Sequence, residues 1–105
     1  MINVALRQAQ IRFEYQEAMN RARELDEIAR ELDRAKAEVD EAMGPLRHGW
    51  EGQSATACQR KGAQLRGLVA DQSRALRSSA EEVRQIARRV RAIEQANLQL
   101  VLERG

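Results

Sequence analysis
The stretch Gly44-Pro45-Leu46-Arg47-His48-Gly49-Trp50-Glu51-Gly52-Gln53-Ser54-Ala55 lies at the middle of the chain and interrupts a helical pattern that runs through nearly everything else. Pro45 is the only proline of the sequence. Proline lacks the amide hydrogen a helix needs, and glycine frees the backbone for turn conformations, so the stretch predicts a turn over about residues 44–53. Trp50 is unusual there, because an indole carries more apolar area than a solvated loop can hide. The expectation is a ring laid over the end of a helix pair, with Gly52 completing the turn.

Toward the amino end, Val4, Ile11, Ala18, Leu25, Leu32, Val39 and Leu46 recur every seven residues. Tyr15, Ala22, Ala29, Lys36 and Met43 run beside them, with Ile28, Ala35 and Ala42 one position earlier. Spacings of three, four and seven gather side chains on one face of a helix, which predicts an amphipathic helix over about 4–43, roughly 60 Å long. Glu17, Glu24, Glu31 and Glu38 repeat on another face, with Asp26, Asp33 and Asp40 as a second acidic row. Such rows read as a solvated surface or a partner-recognition surface. Ile2, Leu6, Ala9 and Phe13 also follow helical spacing but lie away from the seam. Exposed apolar side chains in a group argue for contact with another chain, so Ile2, Leu6 and Phe13 are candidate partner-interface residues.

Past the turn, Ala55, Gly62, Val69, Leu76, Val83, Val90 and Asn97 form one series, and Cys58, Leu65, Gln72, Ser79, Ile86, Ile93 and Leu100 a second. They predict a helix over about 54–103, with Ser54 as its cap and Glu51 placing negative charge near its positive start. Folding this helix back at Trp50 sets Leu46 near Ala55, Leu32 near Val69, Leu25 near Leu76 and Ile11 near Val90. Gln72 and Ser79 then fall in the seam opposite Ala29 and Ala22, and Lys36 interrupts the first seam. Buried polar groups of this kind cost stability and can fix register or partner choice. The fold expected is an all-α, two-helix antiparallel hairpin in a single domain over residues 1–105.

Composition agrees with long seams rather than a ring-filled core: 43% of the residues are hydrophobic, 32% charged and only 3% aromatic. Net charge is +2, too small to argue for nucleic acid by itself. Residues 1–43 hold seven basic against ten acidic side chains, giving −3, while residues 44–105 hold eleven against six, giving +5. Opposite signs favour a folded-back pair. No stretch reaches the twenty or so apolar residues of a membrane span, and Arg7, Arg12 and Glu14 break up any secretory signal centre.

Chemistry-bearing groups are few. His48 and Cys58 are the only histidine and cysteine, and no third group orients them, so no catalytic role is expected. Two such residues fall short of a metal site, and no cofactor site is evident. Cys58 reads as a small core residue or the source of a disulfide between chains. Arg77, Arg84 and Arg91, joined by Arg74, Arg88 and Arg89, make an arginine-rich face. It reads as a solvated face pairing with the acidic row of a neighbouring helix. Phosphate binding is the alternative, opposed by Glu81, Glu82 and Glu94 and by the lack of a stacking aromatic.

A chain of about this length with two amphipathic helices and a central Trp-x-Gly, here Trp50-Glu51-Gly52, resembles the WXG100, or ESAT-6-like, family of type VII secretion substrates. Leu46 four residues before the tryptophan, Ser54-Ala55 after the glycine, and Ile93-Glu94 near the carboxyl end extend the resemblance over essentially the whole chain. The resemblance implies a hairpin that pairs antiparallel with itself or a related WXG100-like protein into a four-helix bundle dimer, burying Ile2, Leu6 and Phe13. It also implies a protein that is cytoplasmic before export and then secreted without a cleaved signal peptide, by a membrane complex with a ring ATPase of the FtsK type. That ATPase recognises an aromatic residue followed four positions later by an acid. Here the position four before Glu103 is Gln99. Either Leu98, Leu100, Leu102 and Glu103 supply a docking helix, or a partner chain carries the signal. A rival reading is an intracellular helper that binds the helical amino-terminal region of a larger type VII effector or toxin; a second rival is a nucleic-acid-binding coiled coil.

Overall fold
A computed structural model describes residues 3–49 and 51–104. Ile2, Trp50 and the side chain of Leu46 lie outside the described residues, and with them the expectations for the indole, for Ile2 at an interface and for Leu46 against Ala55. Among the described residues the chain is all helical, with α1 at Val4–Gly49 and α2 at Gln53–Arg104.

Asn3 starts α1: its side-chain Oδ1 accepts the Leu6 amide at 3.1 Å and its carbonyl accepts the Arg7 amide at 3.0 Å, satisfying donors a helix start leaves open. α1 runs through Pro45 to Gly49 instead of ending at residue 43. A proline loses the hydrogen bond of its own missing amide and crowds the carbonyl four residues back, but the amides after it can still bond backwards, and α1 continues through Gly44-Pro45. Gly52 has φ +110°, a region that side-chain-bearing residues avoid. Its carbonyl accepts both the Thr56 amide at 3.0 Å and the Thr56 hydroxyl at 3.1 Å. α2 therefore begins at Gln53, and Ser54, expected as the cap, sits inside the first turn.

The chain divides into two compact units, one of Met1–Leu25 with Ser78–Gly105 and one of Asp26–Arg77. The Asp26–Arg77 unit is a helical hairpin: Met43 meets Gly62, Asp40 meets Arg66 and Asp33 meets Ser73, so sequence number rises on one helix as it falls on the other. Ala29, Ala55 and Ser73 are buried in it. In the first unit, Arg7 pairs with Glu94 and Tyr15 with Arg91, again antiparallel. Its buried side chains are Ile11, Ala22, Ala80, Ala87 and Leu98.

The α1 seam follows the heptad reading: Val4, Ile11, Tyr15, Ala18, Ala22, Leu25, Ala29, Leu32, Lys36, Val39 and Met43 are all buried or half-buried. Ile28, Ala35 and Ala42 are not; they stay exposed. On α2 the first series holds from Ala55 to Val83, but Val90 and Asn97 are exposed. A helix of 3.6 residues per turn drifts about 20° per heptad against a seven-residue count, so the inward face moves on to Ala87, Arg91, Glu94 and Leu98. The second series holds at Cys58, which is half-buried, and is displaced after it: Leu65, Gln72, Ser79, Ile86, Ile93 and Leu100 are exposed, and the next residues, Arg66, Ser73, Ala80, Ala87 and Glu94, turn inward. Alanine and serine let the helices approach closely, which leaves the bulkier row outside.

Candidate protein–protein interface
Ser73 is the one polar residue buried among the described residues, and it anchors a network between the helices of the Asp26–Arg77 unit. Its hydroxyl donates to Asp33 Oδ1 at 2.8 Å, with the Ala29 carbonyl 3.3 Å away, and accepts from Arg77 Nη1 at 2.6 Å. Arg77 Nη2 donates to the other oxygen of Asp33. The Arg77 guanidinium first, then the Ser73 hydroxyl, hold the Asp33 carboxyl below the usual carboxylate range, because both donate to its charged form. Four groups satisfied together specify one register, in which Ser73 rather than Gln72 faces Ala29. Nearby, Asp40 Oδ1 and Arg66 Nε lie 2.5 Å apart without hydrogen-bond alignment, an ion pair only. The same unit leaves Ile28, Leu65 and Leu68 exposed.

The arginine-rich face of α2 is largely engaged within the chain. Arg77 reaches Asp33, from the aspartate row of α1; Arg74 pairs with Asp71, and Arg84 and Arg88 lie 3.7 and 3.8 Å from Glu81. On α1, Arg21 bridges Glu24 at 2.8 Å and Glu17 at 3.5 Å, and its pKa is raised chiefly by the Glu24 hydrogen bond. These pairs are exposed, and exposed pairs contribute little.

In the unit that holds both ends of the described chain, a row of large apolar side chains on α2 faces outward. Ile86 and Ile93 are 56% and 54% exposed, and Val90 and Leu100 lie on the same strip of α2. The strip opens into a largely apolar cleft of about 220 Å³ between the helices, walled by Ile11, Tyr15, Ala18, Val83, Ala87 and Val90 and lined also by the charged Glu14, Arg91 and Glu94. The cleft exists because Ala18 and Ala87 are too small to fill it. On the other flank of the seam, a second groove is lined by Ala9, Arg12, Phe13, Tyr15, Gln16, Arg91 and Gln95. The Arg91 guanidinium carbon stands 3.8 Å from the Tyr15 ring centroid, a cation–π contact. Leu6 and Phe13, expected at a partner interface, are each 66% exposed. Phe13 lies two residues after Ile11, about 200° around α1, and so points away from α2.

Leu98, grouped by sequence with Leu100 and Leu102 as a docking segment, turns toward α1 and is only 8% exposed; it lines a groove with Gln8 and Ile11. Leu100, Val101 and Leu102 are exposed, and Gln99 Nε2 donates to Glu103 Oε1 at 3.4 Å. The exposed apolar row of Leu65, Ile86, Ile93 and Leu100 is one that a seven-residue count places in the seam; the signal that separates the faces is the run Ser73, Ala80, Ala87 one residue later.

Cys58 is a half-buried free thiol, and among the described residues no three His, Cys, Asp or Glu side chains gather as metal ligands. No described helix is long and apolar enough to cross a membrane. Among the described residues the chain is all helical, its helices pack antiparallel within each unit, and about half of its larger apolar side chains are exposed. The chain belongs to the WXG100, or ESAT-6-like, family, described as proteins of 100 residues with WXG, whose model matches residues 10–95, including Trp50-Glu51-Gly52. No curated protein and no solved structure matches the chain.

Proposed function
We propose that this is a small non-enzymatic type VII secretion protein whose function is association: it pairs with its own copy, or with a related family chain, into a four-helix bundle, and is exported in that form without a cleaved signal peptide. The observation that carries the pairing is the division of side chains in the unit of Met1–Leu25 and Ser78–Gly105. Its buried set is three alanines with Ile11 and Leu98, while Ile86, Val90, Ile93 and Leu100 stand outside. A seam whose fully buried positions are mostly alanine supplies limited apolar burial, and small chains with limited cores need association to be stable. A second helical pair seated on the Ile86–Leu100 strip fills the cleft left by Ala18 and Ala87. Family membership supports export; the apolar Leu100 and Leu102, with Glu103, are the residues offered to the secretion ATPase.

The rival helper reading, binding to a larger type VII effector, draws support from Gln99. This amide stands where an aromatic is expected and is held by Glu103, so a partner chain would carry the aromatic part of the signal. Sedimentation equilibrium tests pairing: the reading expects a particle near twice the 11.9 kDa chain mass. A single-chain mass at tens of micromolar, with helicity intact, would refute self-pairing.

A further inference from the structure
Five of the chain's six glycines and its only proline fall within residues 44–67, the turn end of the Asp26–Arg77 unit. Glycine and proline are the two poorest helix formers, yet Gly44, Pro45 and Gly49 lie in α1 and Gly62 and Gly67 in α2. Packing does not account for all of them. Gly52 answers a φ of +110°, Gly62 makes room for Met43, and Gly44 spares Pro45 the crowding that a Cβ before it would cause. A Cβ on Gly67 would meet nothing within 4 Å, and the exposed Pro45 has no amide hydrogen to donate to the Glu41 carbonyl. Ties across this end are also few. Met43 lies over Gly62 with the tip of a flexible side chain, Asp40 and Arg66 form an ion pair without hydrogen-bond alignment, and among the described side chains of residues 40–67 only Ala55 is fully buried. The base of the same unit is built differently: Ala29 and Ser73 are buried, Asp33 and Arg77 close their network on Ser73, and residues 26–39 and 68–77 contain no glycine or proline.

We infer that this turn end, residues 40–49 with 51–67, is a hinge built into the fold: its helix ends unwind and part locally while the Ser73–Asp33–Arg77 network keeps the base of the hairpin folded and in register. Local opening needs a segment whose folding free energy is small beside that of its surroundings. Relative to alanine, a helical glycine lowers the folded-to-open ratio about fivefold and an interior proline about a hundredfold. Within this unit those factors fall on the turn end alone, where one fully buried alanine opposes them. The network limits how far the opening runs. Asp33 loses both of its donors once Ser73 and Arg77 move away, so unwinding that reaches Ser73 must break a whole cluster at once. The inference stands on this unit by itself and depends on neither pairing nor export.

Hydrogen exchange of the full chain, followed by mass spectrometry at neutral pH and one protein concentration, reads the opening. Corrected for intrinsic rates, amides of residues 40–49 and 57–67 should exchange at least about tenfold faster than those of 29–36 and 69–77. Gly67→Ala should slow the turn end about fivefold and Pro45→Ala at least about tenfold, each leaving the base within about twofold of the parent. Because the two helices part together, Gly67→Ala on α2 should also slow residues 40–49 of α1. Both substituted positions are exposed, so the variants should fold. Trypsin gives an independent reading, since cleavage inside a helix follows its open population; the first cuts should come after Arg47, Arg60 or Lys61. Equal protection of turn end and base, or equal slowing of both by either substitution, would overturn the inference, because opening would then be global. So would slowing by Gly67→Ala confined to α2, which is fraying of one helix, or a first cut after Arg30, Arg34 or Arg74.

Discussion

Replacing Ile86 and Ile93 together by aspartate should abolish pairing while leaving each chain helical. Both side chains keep a little over half of their surface exposed in the single chain. Full burial of such a side chain contributes roughly 1.5–3 kcal/mol, so covering the exposed half contributes about 1 kcal/mol. A symmetric pair covers four of them, which comes to about 4 kcal/mol, or about a thousandfold in the dissociation constant. The introduced carboxylates would add desolvation on top of that loss. Neither isoleucine is fully buried, but the covered part of each contributes about 1 kcal/mol to the single chain as well, so loss of pairing counts only where helicity is kept. Sedimentation equilibrium over a wide concentration range measures the constant, and far-ultraviolet circular dichroism checks helicity. A dissociation constant within tenfold of the parent would refute the reasoning, because it would mean that the strip is not what the partner covers.

Other expected outcomes follow from single positions. Gly67→Ala should raise stability by about 0.5–1 kcal/mol in chemical denaturation, since a Cβ there meets nothing within 4 Å and alanine is the better helix former. At Gly62 the added Cβ lies 3.1 Å from Met43 Cε, a flexible side-chain end, so Gly62→Ala should gain less than Gly67→Ala. Gly52→Ala should cost roughly 1–3 kcal/mol, because φ +110° is strained for any side-chain-bearing residue. Ser73→Ala should cost about 1 kcal/mol and raise the Asp33 pKa toward its ordinary value, read by carboxyl chemical shifts in a pH titration. Because that pKa is lowered on folding, the stability Asp33 adds is present above the ordinary carboxylate range, near 3.9, and lost as pH falls through the lowered value. Asp33→Asn should therefore flatten the acid side of the stability profile.

The seam of α1 was legible because it is long and strictly periodic, with leucine, valine and isoleucine at most positions and no competing apolar row of equal size. On α2 two apolar rows lie side by side, and a count by size favours Leu65, Ile86, Ile93 and Leu100. The folded pair prefers the small residues Ser73, Ala80 and Ala87, because close approach of the helices outweighs the bulk of any one side chain. Seven-residue counting added a second error toward the carboxyl end, where drift carries Val90 and Asn97 out of the seam and brings Leu98 in. Boundaries failed for local reasons: Pro45 does not end α1, and the backbone of Gly52 receives Thr56 where a Ser54 cap was expected. The Ser73–Asp33–Arg77 network could not be read in advance, since it joins residues about forty positions apart whose register was off by one.

Export of the paired chain is tested most directly by measuring the protein in washed culture medium, with a cytosolic protein as lysis control. The parent and the Ile86→Asp/Ile93→Asp chain would be compared in cells with and without the type VII ATPase. The account predicts that the parent appears in the medium only when the ATPase is present, and that the unpaired variant stays inside. Retention of a well-expressed parent in cells with an active system would contradict export and favour the intracellular helper.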